Sequence, residues 1–295
     1  MTCYEDVNNR QSNNSTQITS DPPVIVHDDR VYLFTGHDEA PPNYPWYVLT
    51  EWLCFSSADL IHWQEHEINF RPTDFSWARR DAFASKALVH NGKFYLFVSL
   101  THGSIEGEAI GIAVSNSPTG PFTDARGSAL ITSRDLKSGG RNFDPSVIVD
   151  DDGHAYTFWG KGICYYARLS DKLTEIEGEI RQVDLPKFQE GVHIHKRNGW
   201  YYVAFGYDFP EKVGYAMSRS IHGPWEFKGI LNEVPGNCET NRPGIVDFKD
   251  ASYFFYHNGT LPEGKSYRRS VCIDRLYYND DGSLKRIVMT SEGIQ

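Results

Sequence analysis

Hydrophobic positions along this chain fall into short paired runs. A run of about four apolar residues, a two- or three-residue polar break and a second, aromatic-rich run make up each pair. Five segments have this form: "DPPVIVHDDRVYLFTG", "ASKALVHNGKFYLFVS", "DPSVIVDDDGHAYTFWG", "EGVHIHKRNGWYYVAFG" and "RPGIVDFKDASYFFYH". Three of the five breaks carry Asn-Gly or Asp-Gly, the residues that tight hairpins require. Long amphipathic helical periods are absent. Aligned on the second run, Tyr32, Tyr95, Tyr156, Tyr202 and Tyr253 fall in register, at intervals of 63, 61, 46 and 51 residues.

A second motif follows each hairpin. "GIAVSNSPTGPF" and "GYAMSRSIHGPWEF" are near-copies, "CFSSADLIHWQEH" and "CYYARLSDKLTEI" are looser versions, and "VCIDRLYYNDDGSLKRI" takes the same place last. Each repeat therefore supplies about four strands, the content of one propeller blade. The expectation is an all-β, five-bladed β-propeller forming one domain over 1–295, with an irregular N-terminal segment at 1–19.

The repeat also sets a phase. Counting back eleven or twelve residues from each aligned tyrosine reaches Asp21, Ala84, Asp144, Glu190 and Arg242. The one-residue difference is read as a longer hairpin turn. In a propeller these positions head the innermost strands and converge on one mouth of the channel. Three acids converging there, beside an arginine, raise one another's electrostatic cost, since like charges in a pocket disfavour ionisation. Such a ring points to chemistry rather than to separate strand-start carboxylates.

Composition narrows the partner. With 29 basic and 39 acidic residues the net charge is −10, which argues against nucleic acid or an anionic membrane and suits a neutral ligand. Aromatics make up 14% of the chain, supplying flat apolar faces for sugar rings. Cysteines at 3, 54, 164, 238 and 272 have no zinc spacing and read as buried thiols. No apolar run reaches transmembrane length. The N-terminus lacks the layout of a signal peptide, which favours a cytoplasmic location, with a secreted mature form as the alternative.

Taken in order, "SDPPVIVHDDRVYLFTGHDE", "WARRDAFA", "SPTGPF", "FDPSVIVDDDGHAYTFWG", "EGVHIHKRNGWYY", "NRPGIVDFKDASYFFYHNG" and "RRSVC" resemble the family 43 glycoside hydrolases, the group of α-L-arabinofuranosidases and β-D-xylosidases. The resemblance spans residues 20–272. It implies an inverting mechanism with Asp21 as general base, Glu190 as general acid and Asp144 as the residue that tunes and orients the acid. It further implies that Phe83 walls the sugar pocket, that His37 and Asp38 contact substrate, and that Arg269 reaches the terminal sugar. An inverting glycosidase needs one carboxylate to activate water and one protonated carboxyl to protonate the leaving oxygen.

Two positions depart from the family pattern. Arg242 stands where relatives usually have His, and Val192 where they usually have Pro. Arg242 is expected to contact a carboxylate of the ring or the substrate. No cofactor is needed for the chemistry. The resemblance allows a calcium or other cation on the propeller axis beside His257, with water as the alternative. "DDDG" at 150–153 reads as a hairpin turn rather than a calcium loop, and the sequons at 14–16 and 258–260 matter only in a secretory setting. The activity implied is exo-acting release of terminal L-arabinofuranose from plant cell-wall arabinoxylan or arabinan fragments. Alternatives are β-D-xylosidase activity and a non-catalytic polysaccharide-binding propeller.

Overall fold

The computed structural model describes residues 18–136 and 139–294. Cys3 and the sequon at 14–16 lie outside the described residues.

Each repeat folds as an antiparallel sheet. Blade 1 runs Val24–His27, Arg30–His37, Trp52–Ser57 and Gln64–Phe70. Blade 2 runs Ser85–His90, Lys93–His102, Glu108–Ser115 and Thr123–Asp124, with Ala78–Arg80 added beside its second strand. Blade 3 runs Ser146–Val149, Ala155–Trp159, Cys164–Leu169 and Ile176–Val183. Blade 4 runs His193–Arg197, Trp200–Tyr207, Lys212–Ser218 and Glu226–Asn232. Blade 5 has three strands among the described residues, Gly244–Phe248, Ala251–Asn258 and Ser270–Leu276. The innermost strands neighbour one another in sequence, and the last lies against the first. The architecture is a five-bladed β-propeller.

The paired runs are apolar on both faces because every sheet is covered on both faces. Five hydrophobic cores fill the five interfaces between blades. Alternate residues of one strand enter different cores: Phe254 and Tyr256 pack towards blade 4, Tyr253 and Phe255 towards blade 1. This is the period-2 geometry of a strand applied to two buried faces. The aligned tyrosines follow the same rule. Tyr32, Tyr95, Tyr156, Tyr202 and Tyr253 each pack into the interface with the next blade around the ring.

Four hairpins turn in two residues, at 28–29, 91–92, 198–199 and 249–250. Asn91 and Gly92, like Asn198 and Gly199, sit in the left-handed region that a tight hairpin demands. The blade 3 turn is longer by one residue: Asp150 N–H donates to the His154 carbonyl at 2.8 Å around Gly153 at φ 83°. "DDDG" is thus a turn. The extra residue before Tyr202 has another origin, because the blade 4 turn is a two-residue one. It is Gly191, inserted between Glu190 and its strand.

Closure of the ring departs from the four-strand expectation for the last repeat. Leu284 and Ile287 pack into the core between blades 4 and 5, and Ile287 N–H donates to the Leu231 carbonyl at 2.7 Å. This segment covers blade 5 without adding a ladder strand. At the other end, Thr19–Ser20 forms a short strand against Gly36 and His37, so the irregular segment ends before Thr19. Thr19 N–H also donates to the Arg269 carbonyl at 2.9 Å, tying blade 1 to blade 5. Cys54, Cys164, Cys238 and Cys272 are buried thiols.

Interface packing predicts a sharp contrast in stability. Phe254 is fully buried, and Phe254→Ala should lower the unfolding free energy by about 3–5 kcal/mol. Val288 is 75% exposed, and Val288→Ala should stay within about 0.5 kcal/mol of the parent. Urea unfolding of the two variants checks this, and equal midpoints would contradict the interface assignment.

Candidate active site

All five strand-head residues, Asp21, Ala84, Asp144, Glu190 and Arg242, line one cavity at one mouth of the channel. The wall is completed by Trp46, Tyr47 and Leu49 from blade 1, by Phe83 from blade 2 and by Phe143 from the approach to blade 3. The backbone is bent to present the acids. Asp21 and Asp144 both adopt positive φ, 52° and 54°, immediately before a proline. Aspartate is among the few residues that tolerate this region, and such positions store roughly 1–3 kcal/mol of strain. Glu190 keeps an ordinary φ; the following Gly191 takes the positive value, 70°.

Asp21 and Arg269 form one half of the site. The Arg269 guanidinium grips Asp38 through Nε at 2.8 Å and NH2 at 3.0 Å, and reaches Asp21 Oδ1 through NH1 at 3.4 Å. Its plane also lies over the Tyr47 ring, 4.9 Å from the centroid. Burial pushes the Asp21 carboxyl up, but Arg269, His257 and Arg242 together outweigh it and hold Asp21 below the usual range. Asp21 is therefore ionised at physiological pH.

Asp144 and Arg242 form the other half. Arg242 NH1 lies 2.6 Å from Asp144 Oδ1, and both side chains are buried. Asp144 Oδ2 accepts the Gly191 N–H at 2.8 Å, so it touches the backbone next to Glu190. Burial, opposed by Arg242 and assisted by Glu190 and Asp21, pushes the Asp144 carboxyl up to about 7. Glu190 itself pairs with Lys161, whose ammonium also lies over the Phe143 ring.

His37 and Asp38 do not line the cavity, against expectation. Both Asp38 oxygens are taken by Arg269 and by Ser20 Oγ at 3.1 Å, and the residue is buried behind the arginine. His37 turns outward to Glu51, at 3.2 Å. Phe83 is on the wall, with its ring 4.9 Å from that of Phe143.

His257 borders Asp21, with both ring nitrogens engaged. Nδ1 accepts the Asp21 N–H at 3.3 Å and Nε2 donates to the Thr240 carbonyl at 3.1 Å. Burial and Arg269 push its pKa down to about 4, so the ring is neutral at physiological pH. Calcium takes about six to eight oxygen ligands. Among the described residues no group of three or more His, Cys, Asp or Glu forms such a cage. The residues around His257 do not fit a cation held by protein donors.

Sequence reasoning missed Trp46, Tyr47, Phe143, Lys161 and Glu211. Phe143 was legible beside Asp144. Trp46 and Tyr47 lie in "APPNYPWYVL", a long Pro-rich aromatic insertion inside a hairpin, which is itself a signal. Lys161 and Glu211 sit off the inner strands, beyond the reach of the phase count.

The sequence matches the family model "Glycosyl hydrolases family 43" over residues 15–284. The chain belongs to this family. Among curated relatives, it is 29% identical to an arabinoxylan arabinofuranohydrolase of Paenibacillus polymyxa, over 94% of this chain and 51% of that one. It is 27% identical to a xylosidase/arabinosidase of Bacteroides ovatus, over 93% and 95% of the two chains. The chain spans 51% and 63% of the first two curated relatives, both arabinoxylan arabinofuranohydrolases. Among solved structures, an α-L-arabinofuranosidase from Clostridium thermocellum superposes with a TM-score of 0.78 at 30% identity, covering 92% of this chain and 94% of that one. A β-xylosidase/α-arabinofuranosidase from a compost metagenome, at 24% identity, 93% and 96% coverage and a TM-score of 0.82, shares the fold.

The Asp144 environment has a consequence for stability. Its folded carboxyl is raised from the ordinary 3.8 to about 7, so the folded state binds more protons than the unfolded state between those values. Stability from this group is therefore full below about pH 4 and is lost as pH rises through about 7. Asp144→Asn removes the titration. Its stability relative to the parent should rise by on the order of a few kcal/mol between about pH 4 and about pH 8, read by denaturant unfolding. A constant difference across that range would mean Asp144 is ionised throughout.

Proposed function

We propose that this chain is an inverting, exo-acting glycoside hydrolase that releases terminal L-arabinofuranose from arabinoxylan or arabinan fragments. The observation carrying this reading is the asymmetry of the cavity. On one side Asp21 is held ionised by Arg269. On the other, Glu190 reaches the same cavity from a separate blade, beside Asp144 and a displaceable Lys161. Two carboxyl groups facing one cavity from different blades are what acid–base division in an inverting glycosidase requires.

In this reading the terminal sugar enters the cavity against Phe83, Phe143 and Tyr47. Asp21 accepts a proton from a water that attacks the anomeric carbon. Glu190 donates its proton to the departing glycosidic oxygen, which displaces Lys161. Asp144 orients Glu190 through the Gly191 N–H and supplies a neighbouring anion when ionised. Arg269 offers guanidinium N–H groups towards sugar hydroxyls while fixing Asp21. A cavity walled from all five blades admits a chain end rather than a chain middle, which supports exo action. Trp46, 60% exposed at the rim, offers a flat face to the next sugar. The arabinofuranosidase and arabinofuranohydrolase relatives support arabinose. The xylosidase/arabinosidase relatives favour β-D-xylosidase activity as the second reading.

Two assays test this. On 4-nitrophenyl α-L-arabinofuranoside and β-D-xyloside side by side, the arabinofuranoside should be hydrolysed faster; the reverse order selects the xylosidase reading. Asp21→Ala and Glu190→Ala should each lower turnover of an unactivated oligosaccharide on the order of 10²–10⁴-fold. Glu190→Ala should lose less on the nitrophenyl substrate, whose leaving group needs little protonation, whereas Asp21→Ala should lose alike on both. Near-parental activity of either variant on the oligosaccharide would refute the assignment.

A further inference from the structure

The cavity contains four carboxyl groups, and three have a cation. Asp21 has Arg269, Asp144 has Arg242 and Glu190 has Lys161. The fourth, Glu211, is 4% exposed and makes no ion pair among the described residues. It precedes the third strand of blade 4 and reaches inward past Gly206. A Cβ on Gly206 would stand 3.0 Å from Glu211 Oε2 and 3.1 Å from the Glu190 carbonyl oxygen. The Glu211 carboxyl and the Glu190 backbone thus flank the same glycine.

Glu211 Oε2 accepts the Asn241 N–H at 3.1 Å. The next residue is Arg242, which holds Asp144, which in turn holds the Gly191 N–H beside Glu190. These contacts form a closed loop from Glu211 back to the acid. The charged groups facing Glu211 are Glu190, Asp144 and Lys161. Lys161 is already committed to Glu190. An ionised carboxylate at this place would be desolvated, unpaired and surrounded by acids, an arrangement proteins avoid by keeping the proton.

We propose that Glu211 is a positioning residue for the general acid: an un-ionised carboxyl that fixes Asn241 and Arg242 from behind Gly206 without adding a negative charge beside Glu190. Burial, together with Glu190, pushes this carboxyl well above the ordinary range, in agreement with the geometry. The proposal rests on Glu190 being the acid.

Glu211→Gln is neutral at every pH and can still accept the Asn241 N–H. It should keep kcat within about threefold and the basic limb of the kcat/KM profile within about 0.3 pH unit of the parent. Glu211→Ala lacks the acceptor and should lower kcat by roughly 10–100-fold with a smaller change in KM. A basic limb displaced by about one unit or more in Glu211→Gln would show that the parent carries a charge there and overturn the proposal. Parental kinetics in Glu211→Ala would do the same. Infrared difference spectra of the parent against Glu211→Gln, or Glu211→Met should the first not fold, read the proton directly. At pH near 7 the parent should show a protonated-carboxyl C=O band, and a carboxylate band would overturn the proposal. This readout does not depend on the role of Glu190, so failure of the acid assignment and failure of this inference are distinguishable.

Discussion

The buried guanidinium of Arg269 joins the fold to the site. It bridges Asp38 and Asp21, and its backbone carbonyl receives the Thr19 N–H that ties blade 1 to blade 5. Without it two buried carboxylates would stand unpaired, and breaking such a pair costs about 3–5 kcal/mol. The same residue thus helps tie blade 1 to blade 5 and keeps Asp21 ionised. Closing five blades forces the strand heads together, and charges forced together must be compensated in place.

Arg242 performs the corresponding task on the opposite side, differently. It stands at the fifth strand head, and its partner is Asp144 rather than Glu190. A permanent cation therefore sits one residue away from Glu190 in the chain of contacts, not on it. Asp144 absorbs that charge and remains high in pKa because burial and the other acids outweigh it. Lys161 supplies the direct cation on Glu190, from the loop between the second and third strands of blade 3.

The propeller was legible because its physics repeats. Each blade needs a tight hairpin and two apolar faces, and both leave marks at fixed spacing, down to five tyrosines entering five equivalent interfaces. The converging acids were legible for the same reason, being heads of equivalent strands. What escaped the sequence breaks the repeat. Gly191 shifts Glu190 by one residue, which the count could detect but not locate. Blade 5 is covered by the segment around Leu284 and Ile287, whose two anchors leave no strand pattern. Asp38 directly follows the second strand of blade 1, yet its carboxylate turns inward to Arg269. Glu211 and Lys161 come from loops between second and third strands, where neither phase nor composition marks them.

The central claim is that water attacks directly, activated by Asp21, while Glu190 protonates the leaving oxygen. The stereochemistry of the first-formed product tests it with least intervening inference. Proton NMR of an α-linked arabinofuranoside, followed from the first turnovers before mutarotation, should show the β-anomer of arabinofuranose appearing first, as single displacement requires. First appearance of the α-anomer would establish a covalent intermediate and contradict the account.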